Sequence, residues 1–350
     1  MAKVVPGELV PGEPAVPGKP ELCSELVDFI RKGSKFLIAG HKEPDGDCVG
    51  SQLALTSVLR RMGKEAIPCS AGPFKRTEVK AYEHFFISAP DEKDRAGASV
   101  IVVDCSSADR TGDLEPLLEG LPCAVIDHHE TGKYPGASAG GPVYADARAP
   151  STTSLVLKLI GALGLEPLRE EAELLFLGLC TDTGFFRFVD SGSAATFDTA
   201  AALVRFGANP KTAYAAMHGG KSLDSRRLMG HILTRAESFF DGKLILSVEE
   251  YEEFSRFGLE GRDSDSLYQL LQSIAGVEAI ALIRQETPEK CTVGLRSRDL
   301  VDVALVAESF GGGGHKNAAG FSTAGSAAEL KPKIIDAFGR IFRVSAISMT

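Results

Sequence analysis

Residues 36–47 read Phe36-Leu37-Ile38-Ala39-Gly40-His41-Lys42-Glu43-Pro44-Asp45-Gly46-Asp47, an apolar run that breaks into a polar turn. Short apolar runs that stop at an acid or a histidine read as strands of a parallel sheet whose carboxyl ends carry a site. The shape recurs along the chain. Val100-Ile101-Val102-Val103 ends in Asp104, and Ala124-Val125-Ile126 ends in Asp127-His128-His129. The apolar run from Leu174 to Cys180 stops just short of Asp182. Pro44 and Gly46 fix a turn that sets Asp45 and Asp47 two residues apart. Carboxylates gathered at one sheet edge repel one another, and bound cations are the usual remedy. Taken alone, a strand-end acid such as Asp104 is as readily a turn or helix cap. Adjacent histidines, however, seldom help a core. The set as a whole reads as a divalent-metal site of mixed Asp and His donors, suited to Mn²⁺ and not to thiolate zinc.

Composition narrows the function classes. With 38 basic and 47 acidic residues the formal charge is −9, which disfavours long nucleic acid, since that binds through many Lys and Arg contacts to phosphate. A very short oligonucleotide remains compatible, because cations inside a site supply local positive charge. The 7 cysteines include no C-x-x-C pair, which fits buried thiols in a reduced, cytoplasmic setting. No apolar run approaches the roughly 20 residues that span a bilayer, and the N-terminus has no secretory h-region.

The pattern of the chain is α/β, with a parallel-sheet domain joined by a helical linker to a smaller α/β domain. Residues 1–20 carry a Pro-Gly-Glu near-repeat and read as a flexible tail. Residues 21–192 hold the motifs above: a helix over 21–32, strands at 35–39, 100–104 and 123–127, and helices over 48–62, 151–163 and 168–180. Asp182 to Phe188 then reads as an irregular segment. Ser151-Thr152-Thr153 opens its helix as a cap, or as free N–H groups for phosphate. Residues 193–229 lack chemical motifs and read as a connector of two helices broken at Gly207, Asn209 and Pro210. Residues 230–350 form the second domain, with strands near 243–248, 279–285, 291–296 and 318–321 and helices near 263–275, 301–309 and 326–342. It also carries Gly311-Gly312-Gly313-Gly314-His315-Lys316-Asn317-Ala318-Ala319-Gly320, where glycines allow close backbone approach to a phosphate.

Asp127-His128-His129 is the naming signature of the DHH phosphoesterase family, and His41-x3-Asp45-x-Asp47, Asp104 and Asp182 resemble that family's other metal motifs, in the family's order. The Gly311–Gly320 stretch resembles the glycine-histidine motif of the DHH-associated substrate domain. The resemblance runs from about residue 22 to the C-terminus and is strongest to the NrnA-like group of bifunctional oligoribonucleases and phosphoadenosine-phosphate phosphatases. It implies a hydrolase of very short RNAs and nucleotide bisphosphates that uses two divalent ions, most simply Mn²⁺, to activate water. No long duplex and no membrane is implied as a partner, and a homodimer is left open. An alternative is a phosphodiesterase of linear or cyclic di-adenylate. A non-catalytic nucleotide-binding regulator fits less well, because the acid and histidine set is intact.

By resemblance, His41 and Asp45 hold one cation, Asp47 and His128 the other, and Asp104 and Asp182 are shared. His129 lies beside the scissile phosphate, and Asp127 orients the histidines. Arg296, Ser297, Gly313, Gly314 and His315 contact phosphate or base, with Arg110, Arg284 and Arg298 as weaker candidates. One position departs from the pattern: many relatives carry Asn three residues after the second histidine, where this chain has Gly132.

Overall fold

The computed structural model describes residues 24–129, 141–258, 261–298 and 300–347. The expected tail at 1–20 and the departure at Gly132 lie outside them. The chain divides into two units, Met1–Gly220 and Lys221–Thr350.

The first unit runs α1 (Ser24–Lys32), β1 (Lys35–Ala39), α2 (Gly46–Arg61), β2 (Glu65–Cys69), α3 (Thr77–Lys80), α4 (Glu92–Arg95), β3 (Ser99–Val103), α5 (Glu115–Leu118), β4 (Cys123–Asp127), β5 (Val143–Ala145), α6 (Thr152–Ala162), α7 (Arg169–Asp182), α8 (Ala194–Arg205) and α9 (Pro210–His218). Its sheet has five strands in the order β2-β1-β3-β4-β5. Every pairing is parallel. A parallel sheet is buried on both faces, which is why these strands read as continuous apolar runs. Ile38, Ile101, Val103, Ala124 and Ile126 face α1, α2, α6 and α7 in one core. Leu37, Val100, Val102 and Val125 face the opposite side with Leu114. In this strand order the chain reverses direction between β1 and β3. The crevice beyond the carboxyl ends of those two strands is where such sheets bind ligands.

Two strands of this unit escaped the sequence reading for local reasons. β2 contains Pro68, which an edge strand tolerates. β5 is only three residues long. Helix boundaries shifted where side chains cap them. Asp45 accepts from the N–H groups of Asp47 and Cys48, both at 3.1 Å, so α2 starts at Gly46 and carries Asp47 in its first turn. A cap of this kind is worth about 1 kcal/mol. α7 continues to Asp182 itself.

The second unit runs α10 (Leu223–Thr234), β6 (Glu237–Phe239), β7 (Leu244–Glu249), α11 (Tyr251–Phe257), α12 (Ser264–Gln272), β8 (Ala279–Thr287), β9 (Lys290–Ser297), α13 (Val303–Glu308), β10 (Gly313–His315), β11 (Ala318–Ala324) and α14 (Ala327–Ile347). Its six-stranded sheet is ordered β10-β11-β9-β8-β7-β6 and is mixed, with β7 and β8 parallel and its other pairs antiparallel. One face packs on α10 and α12 through Leu228, Ile232, Leu267 and Leu271. The other packs on α13 and α14 through Val303, Val306, Ile334 and Phe338. The segment read as a two-helix connector over 193–229 holds three helices. α8 and α9 belong to the first unit, α10 to the second, and Gly219-Gly220 separates them.

Candidate metal centre

The carboxyl ends of β1, β3 and β4 lie side by side, and each delivers part of one cluster. His41 follows β1 and is 8 % exposed, and Asp104 follows β3 and is 2 % exposed. His41 Nε2 lies 3.4 Å from Asp104 Oδ2 and 3.7 Å from Asp45 Oδ1. His128 Nε2 lies 2.9 Å from Asp182 Oδ2, 3.7 Å from Asp104 Oδ1 and 3.9 Å from Asp47 Oδ2. The donors therefore form two lobes, His41 with Asp45 and His128 with Asp47 and Asp182. Asp104 reaches both.

Each lobe is braced from below. Gln52, fully buried on α2, donates to the carbonyls of Ile38 and Cys69, both at 2.8 Å, and ties the ends of β1 and β2 together. Asp104 has φ 55°, a left-handed conformation, and its N–H is fixed to Ile126 O at 2.9 Å. Such backbone costs on the order of 1 kcal/mol and persists where surrounding structure imposes it. α2 and α7 approach closely. A Cβ at Gly50 would meet Leu174 O at 2.5 Å, and one at Gly178 would meet Asp47 Cα of α2 at 3.0 Å and Thr153 Cγ2 of α6 at 2.4 Å. Gly178 and Asp182 lie one turn apart on the same face of α7, so the tight contact brings Asp182 to the cluster.

The N-terminus of α6 serves the acids. The N–H groups of Thr152 and Thr153 donate to the two oxygens of Asp47 at 2.6 and 2.8 Å, and Thr152 Oγ1 donates to Asp104 Oδ1 at 3.1 Å. Ser151 is the cap, accepting from Ser154 N. The N–H groups that sequence reasoning offered to phosphate thus hold a buried carboxylate instead.

Asp127 is fully buried. Its Oδ1 accepts from His128 N at 2.9 Å and from His129 Nδ1 at 2.7 Å. This fixes both histidines and sets their rings 4.9 Å apart. Its Oδ2 has no hydrogen-bond partner among the described residues. The Arg110 guanidinium donates to Ser106 Oγ at 3.4 Å.

Electrostatics test whether a cation fits. Two carboxylates 4 Å apart repel by about 4 kcal/mol at an effective dielectric near 20. Without a metal, protons must relieve this. Burial pushes Asp47 and Asp182 up, and the charge of Asp104 adds to it. Burial works against protonating His41 and His128, yet the carboxylates facing them outweigh it and hold both imidazoles up at about 10. Burial also opposes ionising Asp45, but His41 overcomes it and holds that acid well below the ordinary range. A site that gathers protons in this way suits divalent cations, and its oxygen and imidazole donors suit Mn²⁺ or Mg²⁺ class ions. Cys48 lies within 4.8 Å of donor atoms of His41 and Asp104. Burial and then Asp104 push its thiol far up, and Sγ is engaged with Gln52 Oε1 at 3.5 Å. It stays a neutral packing group.

In the second unit, register places His315 opposite Ala318 and Ala318 opposite Arg296. Residues paired in register share a face, so Arg296 and His315 flank small Ala318 at roughly 10 Å, two strand spacings. Gly313 lies two residues before His315 on the same face, and a Cβ there would meet nothing within 4 Å among the described residues. Gly314 has φ 146°, and a Cβ on it would meet Ala319 Cα at 2.5 Å. The result is a glycine-floored shelf between an exposed imidazole and a half-buried guanidinium. The ring of Tyr268 supports Arg296 from 4.5 Å. Ser297 is turned to the other face, since neighbours on a strand alternate. It is 4 % exposed and its Oγ donates to Lys316 O, so it braces the shelf's loop and does not line the shelf. Arg284 is held by Glu249 and Ser264, and Arg298 by the carbonyl of Gln272. Sequence reasoning missed Thr152, Thr153, Gln52 and Gly178 as parts of the site. The helix-opening Ser-Thr-Thr signal was present but had two readings.

Comparison with known proteins follows this division. The DHH family N-terminal domain matches residues 35–179, and the DHHA1 domain matches residues 242–343. Over 314 residues the chain is 30% identical to the bifunctional oligoribonuclease and PAP phosphatase NrnA of Thermus thermophilus, covering 89% of this chain and 91% of that one. It is 26% identical to the cyclic-di-AMP phosphodiesterase PdeA of Listeria monocytogenes, covering 90% of this chain but 49% of PdeA. A crystal structure of an exopolyphosphatase-related protein from Bacteroides fragilis shares the fold, with TM-score 0.75, 22% identity and coverage of 93% and 96%.

Proposed function

The chain belongs to the DHH phosphoesterase family, with a DHHA1 domain, and is a phosphate-ester hydrolase; on that footing we propose that it hydrolyses very short oligoribonucleotides to mononucleotides, and 3′-phosphoadenosine 5′-phosphate to AMP, in the cytoplasm. The observation that carries this reading is Asp104, whose carboxylate lies within 3.4 Å of His41 and 3.7 Å of His128, between two donor lobes. His41, Asp45 and Asp104 would hold one divalent ion, and Asp47, His128, Asp182 and Asp104 a second, Mn²⁺ being the natural choice. When bound, such ions offset charge on the phosphoryl oxygens and make water a nucleophile near neutral pH.

The protein's own groups do the rest. Asp127 keeps the ring of His129 in place, and that imidazole contacts the scissile phosphate. Arg296 and His315 hold a second phosphate or a base on the shelf, and the backbone at Gly313 and Gly314 admits close approach. The net charge of −9 weighs against long strands. The likeness to PdeA supports a second reading, a phosphodiesterase of linear or cyclic di-adenylate.

One assay panel tests both, with purified protein and Mn²⁺ acting on pApA, a 5-mer RNA, a 20-mer RNA, 3′-phosphoadenosine 5′-phosphate and cyclic di-AMP. The first reading expects the dinucleotide, the 5-mer and the bisphosphate to be turned over much faster than the 20-mer. Dominant turnover of cyclic di-AMP would favour the second, and equal rates on the 20-mer would overturn the short-substrate claim.

A further inference from the structure

Thr152 sits where two acids of the candidate metal centre meet, and it touches both. It is fully buried at the first position of α6. Its N–H donates to Asp47 Oδ2 at 2.6 Å and its hydroxyl donates to Asp104 Oδ1 at 3.1 Å. Thr153 N adds a 2.8 Å bond to Asp47 Oδ1. Both acids come from other elements, Asp47 from the first turn of α2 and Asp104 from the end of β3. One residue therefore sets the spacing and orientation of two carboxylates that otherwise repel.

We propose that Thr152 is a positioning residue for cation binding, which presets the Asp47 and Asp104 carboxylates through two separate donors. The inference rests on the metal-centre reading above. A carboxylate oxygen with one lone pair fixed by a buried donor keeps its remaining lone pair in a defined direction. The hydroxyl acts on the acid shared by both lobes, and the N–H acts on an acid of one lobe.

The two donors can be removed separately. Thr152→Val keeps shape and the N–H but deletes the hydroxyl. Thr152→Pro deletes the N–H as well. Proline suits the first position of a helix, and Ser151 already has φ −171° and ψ 159°, the extended backbone that a following proline requires. Thr152→Ser keeps both donors. Metal-free protein is titrated with Mn²⁺, and the free-ion EPR signal reports binding without any substrate. Thermal unfolding of each metal-free variant checks the fold, and Thr152→Ala stands in should Thr152→Val not fold.

Loss of an orienting partner usually weakens metal affinity 10–100-fold. The expected order is Thr152→Ser within about threefold of wild type, Thr152→Val about tenfold weaker and Thr152→Pro weaker still, up to about 100-fold. Wild-type affinity in both Thr152→Val and Thr152→Pro would overturn the inference, and so would a Thr152→Ser variant as weak as Thr152→Val. A wild-type protein that takes up no Mn²⁺ would overturn the metal-centre reading itself, a result distinct from either.

Discussion

The metal-centre candidate and the glycine shelf solve opposite problems. The first concentrates charge where water is excluded: Asp47 and Asp127 are fully buried, and backbone donors, neighbouring imidazoles and close helix packing hold the acids in place. The second keeps its groups open. His315 is exposed, and a Cβ added at Gly313 would meet nothing within 4 Å among the described residues. A buried array of like charges is poised for cations and tolerates little change. An open shelf with one Arg and one His is suited to a ligand that brings its own phosphates and bases.

Substitutions should separate the two regions, beginning with the largest effect. Asp104→Asn removes the charge shared by both lobes, so turnover of dinucleotide should fall about 10³-fold or more with the fold intact by circular dichroism, and chelator should do the same to wild type. Activity within tenfold of wild type would remove Asp104 from the centre of the account. Next come two glycines, one inside α7 and one in the edge strand β10, that differ sharply in what a methyl would meet. Gly178→Ala drives a Cβ to 2.4 Å from Thr153 Cγ2 and should cost about 1–3 kcal/mol, seen as a lower Tm. Gly313→Ala enters open space and should leave Tm within about 0.5 kcal/mol equivalent. Equal losses would break the contrast between closed and open regions.

A further contrast lies in the effect of pH on the metal-free protein. His41 and His128 are held up at about 10 against an ordinary 6.5, by carboxylates that outweigh their burial. A raised folded pKa gives stability that is full below the unfolded value and lost as pH rises through the folded one. The metal-free Tm should therefore fall between pH 6.5 and 10. In the second unit the sign reverses. Burial opposes ionising Asp263 and Glu253, but Arg226 and Arg235 overcome it and lower both acids. Their stability is present above the ordinary carboxylate range and is lost as pH falls below it. A Tm flat across the alkaline limb would contradict the charge-relief argument for the first unit.

What the sequence disclosed follows the same line. Strands β1, β3 and β4 were legible because both their faces are buried and each runs out into an acid or a histidine. The convergence of His41, Asp104 and His128 then follows from parallel topology. β2 hid behind Pro68, and β10 behind its own glycines. The α6 N–H groups were visible as a helix start, but their partner was not, because Asp47 lies more than a hundred residues earlier in the chain. Ser297 illustrates a strand's period: adjacent to Arg296 in sequence, it belongs to the opposite face. Close packing at Gly178 leaves no pattern of its own, since a glycine in an apolar helix looks the same whether or not another helix rests on it.

The central claim is a division of labour, with chemistry at the acid and histidine cluster and substrate holding on the shelf. The most direct test assays His315→Ala on two substrates, a dinucleotide and a small aryl phosphodiester that needs only the cluster, with Mn²⁺ uptake measured on the same sample. A charged contact to substrate is worth roughly 1.5–3 kcal/mol. The predicted result is a fall in kcat/KM of about ten- to hundredfold on the dinucleotide, with the aryl phosphodiester rate and Mn²⁺ uptake unchanged. If both rates fall together and Mn²⁺ uptake is lost, His315 belongs to the metal centre and the division is wrong.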